Sequence, residues 1–170
     1  IDRILSETEL DGQFLKLELT ESMLVDDIER VLQTLNSLRA RNIQLSIDDF
    51  GTGYSSLSYL PRFPINTLKI DRSFVSRMIS DAENLEIVRA ISTLAKSIGI
   101  EVIAEGIETS QQLAQLKVLD CGFGQGYWFS KPLDSLSAQQ LISTQTQWSL
   151  SEALDTVNDL PLTREFLSQT

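Results

Sequence analysis

Eight side chains in this 170-residue chain are of types that could do chemistry together: Glu18, Asp48, Asp49, Lys69, Asp71, Glu105, Glu108 and Gln125. They offer carboxylates, one amine and one amide, and the chain contains no histidine. Ser-His-Asp and Cys-His catalysis are therefore excluded, as is a histidine-rich metal cage. A metal site made from these residues is an oxygen site, suited to hard cations such as magnesium, manganese or calcium. The chain carries 14 basic and 24 acidic residues, a net charge of −10. That balance, with no basic run, makes it a poor partner for duplex nucleic acid. If it handles a phosphate compound, a bound cation is the obvious source of compensating charge. Cys121 is the single cysteine, so no internal disulfide is possible. The apolar runs fall far short of the roughly 18 residues of a membrane span. A composition of 42% hydrophobic and 22% charged residues is that of a folded globular chain. The chain opens on Ile1-Asp2-Arg3-Ile4, which is neither an initiator methionine nor a signal peptide, so a piece of a longer protein is expected.

The hydrophobic pattern shows what must hold these residues. Phe14–Leu19 alternates as a strand, and Val25, Ile28, Val31, Leu32, Leu35 and Leu38 follow on one helical stripe that stops near Asn42. Ile43–Asp48 reads as the next strand, and Phe50-Gly51-Thr52-Gly53-Tyr54 as a glycine-rich turn before a short helical or irregular stretch broken by Pro61 and Pro64. Thr67–Asp71 is a short strand. Leu85, Val88, Ile91, Ala95 and Ile98 mark a long helix ending at Gly99. Ile100–Ala104 is a further strand, and Thr109 with Gln112 forms a capping box for the helix carrying Leu113, Leu116 and Leu119. Cys121–Phe129 contains the last strand, Asp134 opens a final helix, and Leu150, Leu154 and Val157 show helical spacing in a C-terminal tail. Strands alternating with helices predict an α/β fold with a covered parallel sheet. Five strand patterns fit a doubly wound sheet, whereas a closed (β/α) barrel needs eight strands.

On this map Glu18, Asp48 with Asp49, Asp71, and Glu105 with Glu108 fall at or just after the ends of four successive strands, and Gln125 lies in the fifth. In a parallel barrel those ends share one rim, where barrel enzymes place their chemistry. Taken singly, each acid fits a helix cap or turn equally well, and Lys69 fits a solvated strand edge. Four such coincidences favour an acidic rim that divalent cations would neutralise. Lys69 could also suggest Schiff-base chemistry, but neighbouring acids should keep its amine protonated.

Several segments together carry a family resemblance: Glu18-Leu19-Thr20-Glu21-Ser22, Asp48-Asp49-Phe50-Gly51-Thr52-Gly53-Tyr54-Ser55-Ser56-Leu57, Leu68-Lys69-Ile70-Asp71, Ala104-Glu105-Gly106-Ile107-Glu108-Thr109, Gln125-Gly126-Tyr127 and Ser130-Lys131-Pro132-Leu133. In this order and spacing they resemble EAL domains, the cyclic di-GMP phosphodiesterases of bacterial signalling proteins. The resemblance implies a TIM-like (β/α) barrel, here incomplete, over residues 1–147, with 148–170 as a tail. It implies that Glu18, Asp48, Asp49 and Glu105 bind a pair of magnesium or manganese ions. Lys69, Glu105 and Gln125 would be catalytic, with Gln125 and Asp71 against substrate. Glu21, Phe50, Gly51, Thr52, Gly53 and Glu108 would support a loop linked to metal binding and dimerisation. The implied reaction is hydrolysis of cyclic di-GMP to linear pGpG, with calcium inhibitory. The implied setting is the bacterial cytoplasm, with GGDEF or sensor domains upstream, a possible homodimer, and no nucleic-acid or membrane contact. The namesake Glu-Ala-Leu segment, with the first-strand arginine and second-strand asparagine that accompany it, is not found ahead of Glu18. They would precede Ile1, with about three further strands of the eight-stranded barrel. The 170-residue segment is therefore expected to be inactive alone. The alternative is a binding or regulatory module for the same dinucleotide.

Overall fold

A computed structural model describes residues 1–24, 27–53 and 58–144. The proposed tail and Tyr54–Leu57 lie outside the described residues. The strands are β1 (Lys16–Thr20), β2 (Gln44–Phe50), β3 (Thr67–Ile70), β4 (Glu101–Ala104) and β5 (Phe123–Gly124). The helices are α1 (Asp2–Thr8), α2 (Ile28–Arg39), α3 (Arg72–Arg77), α4 (Ala82–Ile98), α5 (Ser110–Val118) and α6 (Ser135–Ser143), with short 3-10 turns at Gly12–Phe14, Glu21–Leu24 and Leu60–Arg62.

All four strand pairings are parallel, and spatial order follows chain order, β1-β2-β3-β4-β5. This decides between the two architectures. A doubly wound sheet reverses its order at a switch point, whereas a (β/α) barrel adds each strand beside the last. The sheet is a five-stranded arc of a barrel.

The period-2 alternation of the strands divides the two faces. Leu17, Leu19, Leu45, Ile47, Leu68, Ile70, Val102 and Ala104 pack into the apolar layer beneath the helices. The helices fit it with matching stripes, Leu32 and Leu35 from α2, and Leu85, Val88, Ile91 and Ala95 from α4. Lys16, Glu18, Ser46, Thr67, Lys69 and Glu101 fall on the opposite, inner face, in register as Glu18 with Ser46, Ser46 with Thr67, and Thr67 with Glu101. Lys16 Nζ reaches across β2 to Thr67 Oγ1 on β3 at 3.3 Å.

Several boundaries differ from the sequence reading. Strand β1 starts two residues late, because Gly12–Phe14 forms a 3-10 turn that Asp11 caps through the Gln13 N–H. Helix α2 starts at Ile28 because Asp27 accepts from the Arg30 N–H, and α4 starts at Ala82 because Asp81 caps Glu83. The Thr109–Gln112 capping box is present with both of its reciprocal bonds, and Asp134 caps α6 through Ser137. No helix among the described residues is long and apolar enough to cross a membrane.

Candidate metal and phosphodiester site

The site begins with an irregularity in β2. Ile47 pairs with Leu68 and Phe50 with Ile70, so three steps along β2 match two along β3. The extra residue is a β-bulge at Asp48-Asp49, where Asp49 takes a left-handed conformation with φ of 52°. Strict alternation would send consecutive side chains to opposite faces. The bulge instead brings both carboxylates to one rim, opposite Lys69. One carboxylate oxygen each from Asp48, Asp49 and Glu105 lie within 4.8 Å of one another.

Lys69 is the centre of charge. Its side chain is only 7% exposed, and its ammonium meets Glu18 at 2.9 Å, Asp48 at 2.9 Å and Glu105 at 2.8 Å. Burial alone would lower its pKa, but the hydrogen bonds to Glu105, Glu18 and Asp48 outweigh burial and hold it well above the usual lysine value. The three acids around the amine favour its protonated form, which speaks against Schiff-base chemistry. Four acids face one cation. The Asp49 carboxyl is pushed up by burial, by the adjacent Asp48 charge and by Asp71. That crowding, and the all-oxygen donor set, fit a hard divalent cation held by Asp48, Asp49 and Glu105. Glu18 reaches the same centre through Lys69 and stands apart from the closest three carboxylates.

The other sequence-derived residues take different positions. Asp71 caps α3, accepting from the Ser73 N–H at 2.9 Å. Burial raises its pKa, but the bonds from Ser73 prevail and lower it. Gln125 follows the two-residue β5; its N–H donates to Ala104 and its carbonyl accepts from Ile107. Glu108 lines a cavity with Glu105 and Gln125. Arg72 and Tyr127, on the same cavity, escaped the sequence reading.

Glu21 does hold that turn. It is 3% exposed, and its Oε2 accepts from the Gly51 N–H at 3.0 Å and the Gly53 N–H at 3.2 Å. This anchor lies two residues beyond the left-handed Asp49, a conformation that persists only where its surroundings fix it. Glu21→Ala should lower manganese affinity by about 10- to 100-fold, read by calorimetry. Unchanged affinity would show that the bulge holds itself.

The EAL domain family pattern matches residues 1–132. The chain belongs to the EAL domain family. This EAL chain is 44% identical over 138 residues to the cyclic di-GMP phosphodiesterase NbdA of Pseudomonas aeruginosa, covering 81% of this chain and 18% of that protein. It superposes on the PaMucR phosphodiesterase solved with c-di-GMP, with a TM-score of 0.78 and 39% identity, over 81% of this chain and 56% of that one. Klebsiella pneumoniae BlrP1, solved with manganese and the same dinucleotide, gives a TM-score of 0.70 and 32% identity over 75% and 33% of the two chains. The EAL chain thus spans less than a fifth of the length of NbdA.

Proposed function

We propose that this EAL chain supplies the metal-holding wall of a cyclic di-GMP phosphodiesterase that produces linear pGpG. The observation that carries this reading is the convergence of Asp48, Asp49 and Glu105 within 4.8 Å beside a protonated Lys69. Two divalent ions, magnesium or manganese, would supply an acidified water and neutralise the phosphate. The chain's own residues do the rest. Asp48, Asp49 and Glu105 fix the position of positive charge on the rim. Lys69 is anchored by three acids, so its ammonium stands as a fixed point charge for a phosphate oxygen and for the water's orientation. Held between three acids, the ammonium is placed to donate a hydrogen bond. Gln125 lines the adjoining cavity, and Glu18 holds Lys69 at 2.9 Å. In the net reaction water adds to one phosphorus, one P–O3′ bond breaks, and the leaving oxygen is protonated.

This reading goes with a cytoplasmic bacterial setting, with GGDEF or sensor domains elsewhere in the protein, and with pairing of two copies through the Phe50–Gly53 turn. Incubating the intact protein with cyclic di-GMP and magnesium, then identifying products by mass spectrometry, tests it directly. Appearance of linear pGpG supports the enzyme; tight binding without product would make it a receptor. Calcium should allow binding yet turn over at least about tenfold more slowly than magnesium, since its looser and larger coordination shell orients water less strictly. Equal rates with the two ions would contradict the mechanism.

A further inference from the structure

The turn from Glu105 to Thr109 joins β4 to α5 and carries two acids. Glu105 belongs to the carboxylate cluster, and Glu108 lines the adjoining cavity of about 300 Å³. Bonds to neighbouring segments fix the turn. The Glu105 N–H donates to the Ile70 carbonyl at 3.1 Å. Ile107 is fully buried; its N–H donates to the Gln125 carbonyl at 3.1 Å, and its carbonyl accepts from the Trp128 N–H at 2.9 Å. The Glu108 N–H donates to Gln112 Oε1 at 2.8 Å.

That last bond is more than a helix start requires. Gln112 lies in the first turn of α5 and is 7% exposed. A capping box asks one bond of such a side chain, to the N–H of the cap residue. Gln112 makes it: Oε1 accepts from the Thr109 N–H at 3.0 Å, while Thr109 Oγ1 accepts from the Gln112 N–H at 3.2 Å. The carboxamide oxygen has a second lone pair, and it goes to Glu108, one residue outside the cap.

We propose that Gln112 is a positioning residue for the reaction, a role that rests on the function proposed above. Its amide oxygen ties Glu108 to the start of α5, and so sets how the Glu108 carboxylate stands in the wall that a substrate at the metal cluster must meet. Glu105 has anchors of its own, the Ile70 carbonyl and the Lys69 ammonium at 2.8 Å. Gln112 therefore acts on the substrate side of the site and not on the metal.

The test is steady-state kinetics on cyclic di-GMP with saturating magnesium, using the intact protein and its variants. Gln112→Leu keeps a stem of similar size without an acceptor. It should raise KM about tenfold, the scale of one lost hydrogen bond, and leave kcat and the calorimetric manganese affinity within about twofold. Gln112→Asn keeps the amide one methylene short, should show the same rise, and serves if the leucine variant fails to fold. Gln112→Glu keeps an oxygen that suits a capping box and should restore KM. Thr109→Ala breaks the cap but spares the Glu108 bond, so the urea midpoint should fall while KM holds. Wild-type KM in Gln112→Leu and Gln112→Asn would make Gln112 a helix cap and overturn the proposal. So would an equal rise in Thr109→Ala, no rescue in Gln112→Glu, or a loss confined to kcat. Each of those results leaves the phosphodiesterase reading standing. If wild type converts no cyclic di-GMP, that reading falls and this role with it.

Discussion

Replacing Glu105 by glutamine should reduce turnover of the intact protein by at least about 1,000-fold, equivalent to about 4 kcal/mol of barrier. Glu105 has two engagements that glutamine cannot both preserve. One of its oxygens lies with those of Asp48 and Asp49 in the 4.8 Å cluster, and another contact, at 2.8 Å, neutralises Lys69. Glutamine fills the same volume and can still accept a hydrogen bond from the ammonium, so stability should change by no more than about 1–2 kcal/mol. The charge is what disappears. The measurements are the rate with saturating magnesium, manganese binding by calorimetry, and urea unfolding as the control. A variant that folds normally and keeps its rate would remove Glu105 from the site.

Lys69→Met should have the largest effect on stability. Methionine matches the length of the stem, but Glu18, Asp48 and Glu105 then face each other with no cation between them. Removing one partner from a buried ionic cluster costs about 3–5 kcal/mol. The partial exposure of the three acids places the expected loss near about 3 kcal/mol. Added magnesium or manganese should restore part of it, because a divalent ion can stand in for the missing charge. The pH dependence follows from the sign of the shift. The folded pKa of Lys69 lies above the ordinary value of 10.5, so its contribution is complete below that value and is lost only as pH rises through the higher folded one. The gap between wild type and Lys69→Met in metal-free urea unfolding should therefore stay constant from pH 7 to about pH 10. A gap that closes within that window would mean that the amine is not held charged by the acids.

Much of this arrangement was legible because strands and acids obey local rules. The strands that position Glu18, Asp48 and Glu105 alternate apolar residues with a period visible without a structure. The caps Thr109 and Asp134 are equally local signals. Helices α1 and α3 were missed. The first buries no residue and so leaves no stripe, and the second has six residues, too few to show a period. An Asp-x-Ser signal at Asp71 could have revealed the start of α3, but reading Asp71 as the end of a strand obscured its role as a cap. The bulge at Asp48-Asp49 has no signature in hydrophobic patterning, since it is a matter of pairing with β3. Arg72 and Tyr127 line one cavity from distant parts of the chain, and such non-local proximity is not written in spacing. The choice between a doubly wound sheet and a barrel likewise waited on which strands are neighbours.

The sequential strand order also fixes a timetable for synthesis. Each strand docks on the one translated just before it, so pairing never waits for a distant partner, and the nascent sheet grows from one side as the chain leaves the ribosome. Charge does not arrive so evenly. Glu18, Asp48 and Asp49 emerge before Lys69, and Glu105 emerges after it. Until Lys69 emerges, the strands already made carry Glu18, Asp48 and Asp49 without a counter-ion, and it is β3 that brings the ammonium with which Glu18 and Asp48 pair.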